Sequence, residues 1–157
     1  GKNCKNESDI RKDGEHMQPC LCRVERSRDV RILPIYTVAY ARLPEYIGED
    51  IHIQQGIRPI IVVSNNLNNR YSSVITVVSI TSAKKNKHLP THIRLPREVC
   101  WEIGLNNEST VLAETITSIP RQCVFRKIGL LQNEEVIEEV NAGIDIHLGR
   151  RADKIRK

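Results

Sequence analysis

The sequence predicts a mainly β protein, a compact barrel closed or flanked by a C-terminal helix. Three observations carry that expectation. Two continuous apolar runs of strand length stand at residues 59–63 and 74–80. Shorter β-rich stretches follow, joined by brief connections, the pattern of a small barrel or sandwich. After residue 133 the apolar spacing changes to steps of three and four, the period of a helix.

Residues 1–31 are polar and mixed in charge, and they read as a poorly packed or disordered extension. Residues 35–40, rich in β-branched and aromatic side chains, predict the first strand. A loop over 43–56 follows, punctuated by Pro44, Gly48 and Gly56. The two long apolar runs lack alternation, so both predict strands buried on two faces. Pro59 suits the first residue of its strand, where no ladder donor is needed. Between the runs, Asn65, Asn66, Asn68 and Asn69 favour turning backbone.

Shorter strands are predicted at 91–95, 110–114 and 123–127. The stripe Ile137, Val140, Ile144 and Leu148 predicts an amphipathic helix. Asn133 is its N-cap, Glu134 and Glu135 suit its first turn, and Gly149 is its stop. Gly143 counts against it.

A chain of 157 residues is one domain's worth, or one domain and a tail. With 39% apolar and 27% charged residues it is neither collagen-like nor wholly disordered. No run approaches a membrane span and no secretory pattern is present. Five cysteines at irregular spacing argue against a disulfide framework and for a reducing, cytoplasmic setting. Cys20 and Cys22 have the wrong spacing for a zinc pair, with His16 the one nearby histidine, so no metal or cofactor is expected.

The net charge is +5, unevenly placed. The end 149–157 holds five basic residues and one acid, whereas 132–148 holds five acids and no Lys or Arg. A polyanion partner is compatible with this, and so is a solvated tail. The expected organisation is an extension over 1–31, a barrel with its helix over 32–149, and a basic tail over 150–157.

If the two apolar runs form an antiparallel hairpin, the numbers of facing residues have a constant sum. Pairing Val63 with Val74 gives 137, and a slip of a residue or two gives about 139. Arg58 then faces the region of Ser79–Thr81, so a guanidinium and a hydroxyl meet at the open end of the hairpin. An arginine at a strand end also commonly satisfies backbone carbonyls or a carboxylate, and the geometry leaves both roles open.

The stretch Gln55-Gly56-Ile57-Arg58-Pro59, running into Ile60-Ile61-Val62-Val63-Ser64-Asn65, resembles the G-x-R-P strand of the MazF/PemK family of toxin endoribonucleases. So do, in family order, Asn69-Arg70-Tyr71-Ser72, Val78-Ser79-Ile80-Thr81-Ser82, Leu89-Pro90-Thr91-His92-Ile93, the segment 109–116 and Lys127-Ile128-Gly129. The resemblance covers about 36–149. It implies an SH3-like barrel, a homodimer, cleavage of single-stranded mRNA at short motifs without metal, and a cognate antitoxin.

By the same resemblance the catalytic arginine is Arg58, the catalytic hydroxyl Thr81 and the acidic position Glu114. One departure stands out. Many members carry an arginine where this chain has Thr117.

Cleavage without metal uses the ribose 2′-hydroxyl as nucleophile. It needs a base, a clamp on the anionic transition state, and a proton for the leaving oxygen. Arg58 offers a planar fork of donors for phosphate oxygens, and Thr81 adds a neutral donor. A guanidinium is a poor base, so Glu114 or His52, in the loop before Arg58, is the acid–base candidate. His92 reads as a strand residue with a structural hydrogen bond.

Lys84, Lys85 and Lys87, directly after Thr81, suit a rim that tracks the RNA backbone, or a solvated loop. Arg70 and Tyr71 are RNA or antitoxin contacts. Trp101 either stacks a base or lies in the core. Two other readings compete: a CcdB-like toxin of the same fold that poisons a protein such as gyrase, and an inactive RNA- or antitoxin-binding module. The protein poison has no need of a phosphate clamp, whereas the missing arginine at Thr117 leaves the binding module open.

Overall fold

The computed structural model describes residues 32–45, 54–83 and 89–151. Its strands are β1 (Thr37–Leu43), β2 (Gly56–Val62), β3 (Val74–Thr81), β4 (His92–Leu95), β5 (Ser109–Pro120) and β6 (Val124–Leu130). Its helices are α1 (Asn66–Tyr71), α2 (Arg97–Glu102) and α3 (Glu134–His147), with a 3-10 turn at Arg121–Cys123 before β6. The strands form one antiparallel sheet in the order β4-β5-β3-β2-β1-β6. Among the described residues no ladder joins β4 to β6, so the sheet is open where a closed barrel was expected.

Both faces of this sheet are buried. On one face Val38, Ile61, Val78, Ile80, Ile93 and Leu95 pack with Val136, Val140 and Ile144 of α3. On the other, Ala39, Ala41, Ile60, Val62, Ile75 and Val77 form a second core with Leu33, Ile119 and Val124. Adjacent residues of β2 point into opposite cores, which is why its apolar run shows no alternation. Burial of Ile60, Ile61 and Val62 is complete. At roughly 1.5–3 kcal/mol for each fully buried aliphatic side chain, these central strands supply much of the driving force.

The first strand begins two residues later than expected. Tyr36 has φ 69, outside the strand region and rare for a bulky residue. It is held there by its N–H on Val62 O at 2.7 Å, its carbonyl accepting from Leu131 N at 3.0 Å, and its hydroxyl accepting from Asn141 Nδ2 at 3.0 Å. Pro59 is not the first residue of β2 but its fourth. The ladder to β3 starts only at Ile60, so Pro59 has a partner strand on one side, where a residue without a donor is tolerated.

The asparagine-rich segment is not a bare turn but carries α1. Asn65 caps it by accepting from Asn68 N at 2.8 Å. The buried Asn69 donates to Ser64 O at 2.7 Å and accepts from the Ser64 hydroxyl, which itself accepts from Thr76 N at 3.0 Å. Three asparagines, poor helix formers, thus lie in a short helix because capping and tertiary hydrogen bonds offset propensity. The six-residue α2 also lies in a stretch with no helical period. It buries Val99 and Cys100, and Trp101 is 63% exposed, which overturns the core reading of that residue.

Helix α3 starts at the expected cap, with Asn133 accepting from Val136 N at 3.1 Å, and Gly149 follows its end with φ 71. Leu148 is exposed because the helix stops at His147, and Val136 takes its place on the buried face. Gly143 supports the packing instead of weakening the assignment. A Cβ there would lie 2.8 Å from Ile93 Cδ1 and 3.2 Å from Ala113 Cβ, so glycine lets α3 approach β4 and β5. No helix among the described residues is long and apolar enough to cross a membrane.

A second close approach joins the turn after α2 to β6. At Gly129 a Cβ would meet Ile103 O at 2.7 Å and Ile103 C at 2.8 Å, backbone atoms with no freedom to yield. We predict that Gly129→Ala lowers stability by about 1–3 kcal/mol, the usual cost of overpacking. Urea unfolding checks this; an unchanged midpoint would mean that the two segments move apart freely.

Candidate active site

The site is built on the β2–β3 hairpin, whose register is Ile60↔Ser79, Ile61↔Val78 and Val62↔Val77. Every pair sums to 139, the slipped value anticipated from the sequence. Extending that sum by two residues sets position 58 opposite position 81. Paired residues of an antiparallel ladder share a face, and faces alternate along each strand. Arg58 therefore lies on the face of Ile60 and Val62, and Thr81 on that of Val77 and Ser79, away from α3.

Arg58 is exposed, and its cross-strand partner on β1 is the small Ala41. Its Nε donates to Gln55 O at 3.0 Å. That bond fixes one edge of the guanidinium plane. The terminal amino groups have no partner among the described residues, so the fork is oriented and available to an oxyanion. No pattern around Gln55 signals that its carbonyl holds the guanidinium.

Thr81 is 8% exposed, and its Oγ1 accepts from Ala83 N at 3.2 Å. The hydroxyl proton is uncommitted among the described residues. A hydroxyl that already accepts from the backbone is set to donate outward.

Glu114 lies on a distortion of β5. The pairing jumps from Val77↔Thr117 to Ser79↔Leu112, so residues 113–116 bulge opposite the single residue Val78. The Thr115 hydroxyl holds the bulge, donating to Leu112 O at 2.6 Å and accepting from Ser79 N at 2.9 Å. Bulges re-aim side chains and are frequent beside active sites. Here the bulge brings Glu114 Oε1 to 2.6 Å from Nε2 of His92 on β4. His92 pairs with Leu112, so it shares the face of Thr81 and Arg58.

Thus Arg58 and Thr81 stand at one end of the hairpin by register, and Glu114 stands with His92 about three residues along β3 from Thr81. The expected hydrogen bond of His92 is present; that its partner is Glu114 follows from the bulge, which no local pattern signals. Arg70 and Tyr71 lie on α1, both exposed, with the Arg70 guanidinium carbon 5.6 Å from the Tyr71 ring centroid. His52, Lys84, Lys85 and Lys87 lie outside the described residues, as do Cys4, His16, Cys20 and Cys22. Cys100 lies on the buried side of α2, and burial pushes its thiol up, the mark of an unreactive cysteine.

An open, strongly paired β-sheet backed by one C-terminal helix, with a basic fork and a hydroxyl at one end of the face away from that helix, defines a small β-scaffold suited to anionic ligands. The sequence pattern of the PemK-like, MazF-like toxins of type II toxin–antitoxin systems matches residues 35–148, and the chain belongs to that family. The endoribonuclease EndoA of Bacillus subtilis (strain 168) is 31% identical over 111 residues, which are 71% of this chain and 90% of the relative. The crystal structure of MazF from Deinococcus radiodurans superposes with a TM-score of 0.61 at 20% identity, covering 75% of this chain and 97% of that one. An endoribonuclease in complex with its cognate antitoxin, from a mycobacterial species, superposes with a TM-score of 0.59 at 18% identity, covering 76% and 97%.

The bulge predicts a specific energetic signature. Thr115→Val keeps the shape of the side chain but leaves the Ser79 N–H without its acceptor. We expect a loss of about 1–3 kcal/mol, the cost of a buried unsatisfied donor. Thr76→Val, which removes only a 3.4 Å contact to Ser118 at the sheet surface, serves as control. Equal denaturation midpoints for the two variants would show that Thr115 does not hold the bulge.

Proposed function

We propose that this protein is the toxin of a toxin–antitoxin pair and an endoribonuclease that cleaves single-stranded mRNA at a short sequence, with no metal required. The observation that carries this reading is the Arg58 fork, fixed by Gln55 at the end of a hairpin whose register sets Thr81 opposite it. Family membership and the names of the relatives support it.

In this mechanism Arg58 and Thr81 bind the non-bridging oxygens of the scissile phosphate. The 2′-oxygen attacks phosphorus and gives its proton to Glu114. The bond from phosphorus to the 5′-oxygen breaks, and that oxygen takes the proton back from Glu114. The products are a 2′,3′-cyclic phosphate and a 5′-hydroxyl. His52 is the alternative proton carrier. The negative charge that builds on phosphorus is what Arg58 stabilises, and a planar fork fits two oxygens at once.

Bases flanking the cleaved bond stack on exposed aromatics, with Tyr71 and its neighbour Arg70 as the candidates on α1. Lys84, Lys85 and Lys87 add backbone contacts that weaken with salt. The folded unit is 32–149, a curled sheet that we read as the SH3-like small barrel of this family. The basic residues of 1–31 and 150–157 add affinity without sequence choice. Action on mRNA places the protein in the cytoplasm, where the antitoxin covers the same face.

Arg58→Ala is expected to cut RNA cleavage in excess EDTA by roughly 10²–10³ with the fold intact. Thr81→Val should lose less, since one neutral hydrogen bond is removed. Gel assays on a defined RNA measure both, and cleavage by Arg58→Ala within threefold of the wild type would remove Arg58 from the mechanism. No cleavage by the wild-type protein would leave a binding role.

The protein should also be a homodimer. Ile57, Leu67 and Val74 are exposed apolar side chains of β2, α1 and the start of β3, and a closed two-fold pair is the common way to cover such surface. A monomeric mass by light scattering at micromolar concentration would contradict this.

A further inference from the structure

We propose that His92 is a positioning residue for RNA cleavage. It acts through the Glu114 carboxylate, which it fixes on the β5 bulge. The inference rests on the endoribonuclease reading and goes beyond it, because it assigns a role to a residue whose pattern in the sequence is that of a plain strand position.

The pair is costly for a structural staple. His92 Nε2 and Glu114 Oε1 are 2.6 Å apart, and the outer atoms of both groups, His92 Nδ1 and Glu114 Oε2, are buried without a hydrogen-bond partner among the described residues. Two half-satisfied polar groups under a sheet face are worse than an apolar pair of the same size. If holding β4 to β5 were the sole requirement, two aliphatic side chains would do it better. The ladder from His92↔Leu112 to Leu95↔Ser109 already joins the strands.

The geometry is also directional. The His92 side chain is 12% exposed and that of Glu114 33%, so the imidazole is the more enclosed of the two groups. A Glu on a bulge has no regular neighbour to restrict its torsions, and a mobile carboxylate is a poor proton acceptor for a fixed hydroxyl. With its Nε2–H on Oε1, His92 removes that freedom. The same bond selects the tautomer with the proton on Nε2. This is the logic of a base oriented by a second group.

The test separates the hydrogen bond from mere packing. The amide of His92→Gln sits close to the position of Nε2 and restores a donor to Oε1; the amide of His92→Asn sits nearer Nδ1 and does not. Cleavage of one defined RNA in excess EDTA is measured for the wild type, both variants, Glu114→Gln, and each His92 variant combined with Glu114→Gln. We expect His92→Gln to keep kcat within about threefold. His92→Asn should lose about tenfold or more in kcat, a part of what a general base typically supplies, with KM unchanged. In the Glu114→Gln background neither His92 variant should cause further loss, since residues that act as one unit are not additive.

Equal rates for the Gln and Asn variants would overturn the proposal, as would losses that multiply in the double variants or that fall on KM alone. The absence of cleavage by the wild-type protein would overturn the endoribonuclease reading, and this proposal with it. Cleavage by the wild type with indifferent His92 variants would overturn this proposal alone.

Discussion

The register between β2 and β3 is the constraint on which the rest of the molecule depends. Ile60, Ile61 and Val62 are buried on alternate faces, and so are Ile75, Val77, Val78 and Ile80. Because both faces are filled, a slip of one residue would exchange the two cores and unseat α3 from one and Leu33 from the other. That tight specification reaches past the paired residues to the end of the hairpin. The position of Arg58 against Thr81 costs nothing extra in design, because it is set by side chains that never meet a ligand. The bulge in β5 is arranged from the same reference, since Ser79 is the residue whose N–H the Thr115 hydroxyl accepts.

The fold was legible where one physical rule dominates. Two-faced burial marked β2 and β3, and a cap, a period of 3.6 and a stop marked α3. The lengths of β5 and β6 were underestimated, because beyond Glu114 the strand is half-exposed and carries threonines and a serine, a weak apolar signal. The helix α1 was hidden because its stability comes from Asn69 and Ser64 reaching across to β3, an interaction between distant residues. The open sheet was hidden for the same reason. Whether first and last strands in space join depends on twist and curl, which no strand announces in its own residues.

The candidate site divides in the same way. Arg58 and Thr81 could be placed together by counting along a hairpin, since their relation is arithmetic. The partner of Glu114 could not. It depends on four residues of β5 facing one residue of β3, and nothing in Ala113-Glu114-Thr115-Ile116 distinguishes a bulge from a regular strand. Trp101 is the counterexample from the surface. Two buried neighbours, Val99 and Cys100, suggested an interior position, but a short helix presents successive residues to different sides.

The position of β1 has a consequence for the life of the chain. It lies between β2, its neighbour in sequence, and β6, which is made some ninety residues later. Until β6 has left the ribosome, β1 is an edge with unpaired backbone, and the Tyr36 carbonyl has no Leu131 N–H to receive. The sheet is thus completed only when synthesis of the domain is nearly over. For most of its own synthesis, the domain therefore lacks the second neighbour of its first strand.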